Sequence, residues 1–150
     1  MISQMALRVA EHIHGHMGWL SAAALLHPAI LLRDPRRRVR LAAFLATSFV
    51  TTTGLIGAWI YPEYRGRLKQ TIFIHAPKIG WLFERKEHLA VGALAFAWIG
   101  CIAHLACPTF ADDALRRTVA VMAHRSYVIA FVLSVAVACL GVTVATYSTF

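Results

Sequence analysis

Four stretches of mainly apolar residues, each about 20 long, decide what this chain can become. A helix of that length and character crosses the hydrocarbon core of a bilayer with every backbone polar group bonded within it. The stretches run from about Glu11 to Leu32, Leu41 to Tyr61, Glu87 to Cys107 and Ala120 to Tyr147. Hydrophobic residues make up 59% of the 150 and mean hydropathy is +0.61, which leaves little sequence for a soluble domain. The expectation is a single all-α domain over residues 1–150, an integral membrane four-helix up-and-down bundle.

The punctuation between the stretches supports this. Pro35 and the five arginines Arg33, Arg36, Arg37, Arg38 and Arg40 stop the first span. Trp59 and Tyr61 mark an interface, and Pro62 is expected to end the second span. Residues 62–86 read as a loop in the headgroup plane, anchored by Phe73, Trp81 and Phe83. Pro108 closes the third span, and Asp112-Asp113 suit the positive end of the fourth helix. The start of the chain has no apolar h-region and no cleavage site, so the first span is expected to act as its own insertion signal.

Net charge is +8. The basic residues crowd the connections, so lipid headgroups are the expected partner and nucleic acid is excluded; neither a phosphate loop nor zinc-finger spacing occurs. The arginine run favours an N-terminus outside, in a bacterial inner membrane. Cys101, Cys107 and Cys139 form no CxxC or CxxCH and read as small apolar residues.

Histidine is rare at membrane depth, because its polar ring needs a partner there. The first span carries four. In an up-and-down bundle His12, His14, His16 and His88 fall toward the outer face, and His27, His104 and His124 toward the inner. Two neutral imidazoles at one depth on different helices are what a six-coordinate b-type haem requires. His12 and His16 share a helix face, and His27 lies on that face roughly 16 Å further along, while His14 points elsewhere. His88 and His104 stand roughly 160° apart in phase, which brings His124 forward as a partner for His27. Arg33, Arg85 and Arg125 are placed to hold haem propionates.

Four spans with histidines paired by level resemble the small four-helix b-type membrane cytochromes. The resemblance implies one or two b-type haems, with His12 or His16 opposite His88 and His27 opposite His104 or His124. It also implies an electron carrier with no catalytic constellation of its own, linked to a quinone or to partner subunits of a respiratory complex.

Other readings rest on different residues. Glu11, His12, His16, Glu63, Glu87 and His88 form an outer set suited to non-haem iron or zinc. A cofactor-free structural subunit accounts for the short tails but not for the histidines. A transporter needs a polar path, for which Thr47–Thr53, Glu63 and histidine relays are the candidates; no inverted repeat accompanies them. The hydroxyls of Thr47–Thr53 otherwise read as helix-packing contacts.

Overall fold

The structure, a computed structural model, describes residues 4–147, with the side chains of Gln4, Arg67 and Leu68 outside that description. The expected tail at 148–150 also lies outside it. The described chain is all-α and contains no strand. Helices are α1 (Gln4–Leu31), α2 (Arg40–Tyr64), α3 (Gln70–His75), α4 (Pro77–Ala106) and α5 (Asp113–Tyr147).

Three helical segments are long and apolar enough to cross a membrane: α2, α4 with its following turn to Thr109, and α5. Their most apolar stretches have mean hydropathies of 1.6, 2.0 and 2.7. Only 28%, 28% and 17% of those stretches are buried inside the protein, so their apolar faces point outward. Leu41, Leu55, Val91, Ile102 and Val132 are all exposed, an arrangement compatible with lipid contact. The expectation of four such spans is met by three. α1 has the length, but His12, His14, His16 and His27 dilute its apolarity.

α1 packs against α2 and α5, and α4 packs against the same two helices. Each sequential pair of long helices runs antiparallel. Gly57 and Thr53 of α2 face His14 and Ser21 of α1. Thr47 and Thr51 face Ala97 and Trp98 of α4. Gly92 and Gly100 of α4 face Leu133 and Tyr127 of α5. The interior is made of small residues, among them Ala43, Ala97, Cys101, Ala123 and Ala130, each fully buried. Small side chains let the helix backbones approach closely.

The connections differ from the expected loops. Pro62 does not end α2; it lies inside its last turn, where the helical φ of proline fits and only one backbone hydrogen bond is lost. A π-helical turn over Arg65–Lys69 and the short α3 then carry the chain round. Ala76, at φ −145°, makes the break, and Pro77 opens α4 a full ten residues before the expected span at Glu87. Residues 62–86 are therefore helical almost throughout. Trp81 is exposed as an interface anchor should be, but Phe83 turns inward and stacks on Tyr64 with ring centroids 4.7 Å apart. Asp112 caps α5 by accepting from the Ala114 N–H at 2.8 Å, and Asp113 pairs with Arg116 at 2.6 Å.

Tyr127 ties three helices together from the fully buried centre. Its hydroxyl lies 3.0 Å from both the Ala43 carbonyl and Thr47 Oγ1, and its ring covers Gly100. A Cβ at Gly100 would come within 2.9 Å of that ring and 3.3 Å of the Ala123 carbonyl, which is backbone and cannot give way cheaply. Thermal unfolding in detergent should show Tyr127→Phe less stable by about 1 kcal/mol, the scale of one interhelical hydrogen bond in a membrane protein. Gly100→Ala should cost about 1–3 kcal/mol through overpacking.

Candidate functional site

The histidines do not share one environment. His12, His16, His27 and His88 are exposed, so their rings lie on the outer surfaces of the helices. His88 Nδ1 donates to the Glu84 carbonyl at 2.8 Å, one turn back on its own helix. His12 lines a shallow groove with Met5, Arg8 and Val9. His104 is buried, and its Nε2 accepts from the Val39 backbone N–H at 3.2 Å, tying the end of α4 to the start of α2. His124 is half-buried, and its Nδ1 has no hydrogen-bond partner among the described residues.

His27 has the setting closest to the expected one. It stands in a shallow groove between α1 and α2, lined by Ala24, Leu41, Ala42, Leu45, Ala46 and Phe49. It makes no hydrogen bond among the described residues. Apart from His27 the lining is wholly apolar, three alanines, two leucines and Phe49. Arg33 and Arg40, both exposed, border the turn at the groove's end. The residues fit one axial imidazole, an apolar plate and arginine partners for propionates. Neither expected inner partner lines this groove: His104 Nε2 is committed to Val39, and His124 stands half-buried on α5. Arg85 and Arg125, the other expected propionate partners, are exposed on α4 and α5.

The expected outer metal set is not assembled. Among the described residues no three His, Cys, Asp or Glu side chains gather closely enough to hold a metal ion. Glu87 instead accepts from the Tyr61 hydroxyl at 3.4 Å. Glu11 and Glu63 are half-buried on α1 and α2. No family model, curated protein or solved structure matches the chain.

The polar set that does converge was only partly visible beforehand. At the Glu87 end, Glu11 and Glu87 both stand within Coulombic range of the Tyr64 hydroxyl, which is buried without a hydrogen-bond partner among the described residues. Lys86 lays its ammonium 4.8 Å from the Phe83 ring centroid and lies within Coulombic range of His14 and Glu87. Beside them Lys69, on the π-helical turn, pairs with Glu84; that hydrogen-bonded carboxylate holds the Lys69 ammonium above the usual lysine range.

His14, the histidine that helical phase had set aside, is the one that enters the helix interface. Its Nδ1 donates to the Thr53 carbonyl at 3.1 Å, which leaves Nε2 as the acceptor nitrogen. Its ring lies on Gly57, where a Cβ would come within 2.7 Å of Cε1. Below it Ser21 and Thr53 share a hydrogen bond of 2.8 Å, and Thr53 also reaches the Phe49 carbonyl at 3.0 Å. The signal for His14 was Gly57, one of two glycines on α2, and only pairing with α1 reveals which of them takes the ring.

Gly57→Ala should therefore displace His14 from Thr53 and destabilise the fold by about 1–3 kcal/mol. Gly15→Ala and Gly18→Ala, where a Cβ meets nothing within 4 Å, should be neutral or stabilise by about 0.5–1 kcal/mol through helix propensity. Detergent melting of the three variants, with the His14 ring followed by NMR, checks both halves of the contrast.

Proposed function

We propose that the chain is a four-span up-and-down membrane bundle that serves as an electron-transfer subunit of a redox complex. In this reading the α1–α2 groove would hold a b-type haem through the imidazole of His27. The observation that carries it is the unpartnered imidazole of His27 in an apolar groove, at a place where an exposed polar ring otherwise faces lipid alone. The groove supplies an apolar lining of alanine, leucine and phenylalanine, and Arg33 and Arg40 supply guanidinium forks for carboxylates. Bound haem would supply one-electron transfer. His27 would hold and orient it, and the apolar wall would exclude water from one face.

A groove open to the outside gives the second ligand a source beyond this chain, either a partner subunit or a second copy. That agrees with the outward placement of His12, His16 and His88, whose rings are also available to neighbours. The electron partner is then a quinone or an adjoining subunit in the membrane plane.

The test is a reduced-minus-oxidised visible spectrum of the detergent-purified protein with haem quantified per chain, on the wild type and on His27→Ala. A sharp α-band that disappears or becomes high-spin in the variant is the expected result. An unchanged low-spin spectrum in His27→Ala removes His27 as ligand. A featureless spectrum from folded wild type, taken with its native partners, ends the haem reading.

A further inference from the structure

The sequence contains one pair of histidines at the helical i, i+4 spacing, His12 and His16 of α1. Residues so spaced stand one above the other with Cβ atoms about 5–6 Å apart, a separation at which two imidazoles can take one metal ion. Which way the pair faces is set by His14, whose ring enters the interface with α2 and lies on Gly57. At about 100° per residue, His12 and His16 are each turned roughly 160° from His14 and about 40° from one another. Placing His14 in the interface therefore turns the pair outward, and both residues are exposed. Neither ring makes a hydrogen bond among the described residues.

The pair also stands at an apolar level. His12 and His16 lie about 3 Å to either side of His14 along the helix axis, and His14 is level with Gly57. Two residues to either side of Gly57, α2 exposes Leu55 and Trp59, and α2 is apolar enough to cross a membrane. Polar rings on such a surface need a partner. None comes from within the chain: among the described residues no third His, Cys, Asp or Glu side chain gathers with these two. Two imidazoles are half of the four-ligand shell that zinc takes in a closed site. A second copy lying the same way in a bilayer carries the same two rings at the same depth. A two-fold axis along the membrane normal, passing beside the pair, supplies the missing half.

We propose that His12 and His16 from two copies of this chain form a four-imidazole zinc site at a two-fold interface between their α1 helices. Zinc suits an all-nitrogen set, and it imposes no geometry of its own through d-electrons. The neutral rings replace the ion's bound waters, and nothing is oxidised or reduced. Arg8 lines the shallow groove beside His12, and its charge opposes the ion. Two donors in one chain are weakened by that charge, whereas four offset it. Met5, Val9, Trp19 and Leu20 are exposed along the same part of α1 and offer apolar contact to the second helix. The site lies roughly 16 Å along α1 from His27 and does not rest on the haem reading.

The experiment is sedimentation of the full chain in detergent, in EDTA and with zinc ion alone added, with bound zinc counted by elemental analysis after dialysis. The protein mass should be that of one chain in EDTA and should double with zinc, at one zinc per two chains. His12→Ala and His16→Ala should each weaken the zinc-driven dimer by about 100-fold or more, beyond the effect of losing a group that merely supports a ligand. His75→Ala and His88→Ala, which alter other exposed histidines, should dimerise as the wild type does. Circular dichroism confirms that each variant is folded. Any of four results overturns the proposal: a dimer that persists in EDTA, zinc bound without dimerisation or not at all, a His16→Ala dimer with wild-type zinc dependence, or an equal loss in His88→Ala. Failure of the haem reading would show in the visible spectrum and would leave these masses and zinc counts unchanged.

Discussion

The hydroxyl of Tyr127 is the interaction on which the rest of the interior depends. It sits at zero exposure on α5 and reaches across to Thr47 and to the Ala43 carbonyl of α2. Thr47 in turn reaches the Ala97 carbonyl of α4 at 3.3 Å. Three helices are thus held in register by side-chain bonds. In a chain whose most apolar stretches are only 28%, 28% and 17% buried, burial of apolar area does little by itself to set that register. Polar contacts at defined depths choose one arrangement among many that pack small residues equally well.

The same constraint explains why the polar groups are concentrated along α2. Thr47, Thr53 and Gly57 each meet a partner from another helix, and the turn before α2 is held by His104 through the Val39 N–H. α2 therefore acts as the common partner for α1, α4 and, through Tyr127, α5. Thr51 and Thr52 bond back to carbonyls one turn earlier on α2 itself, and Thr51 also receives the Trp98 indole N–H at 3.2 Å. Adjacent threonines in one run thus divide between the interior and the outer surface according to helical phase.

Charge is organised by end rather than by face. At the His104 end Asp34 accepts from the Arg36 backbone N–H, Asp112 caps α5 and Asp113 holds Arg116, so every acid there is used locally while the arginines around them stay exposed. At the Glu87 end acids and bases interleave, with Lys69 on Glu84, Tyr61 on Glu87 and Lys86 over Phe83. The two ends offer different chemistry, a cationic rim and a mixed acid–base cluster.

The sequence by itself determined the all-α class, the long apolar segments and the polar turn at Arg33–Arg40, because length, hydropathy and proline or arginine punctuation are local properties. It also identified Thr47–Thr53 as packing contacts. It misjudged residues 62–86, since Pro62 reads as a terminator although proline in a last helical turn removes only one hydrogen bond. Which histidines enter the interior was decided only by the tertiary structure. Helical phase says that His12 and His16 share a face and that His14 does not, but it is silent on which face turns inward. That choice belongs to Gly57 on another helix, whose missing side chain makes room for the His14 ring, and to Val39, whose N–H claims His104. Contacts between residues 39 to 65 positions apart in the chain leave no trace in local pattern, so only the packed helices reveal them.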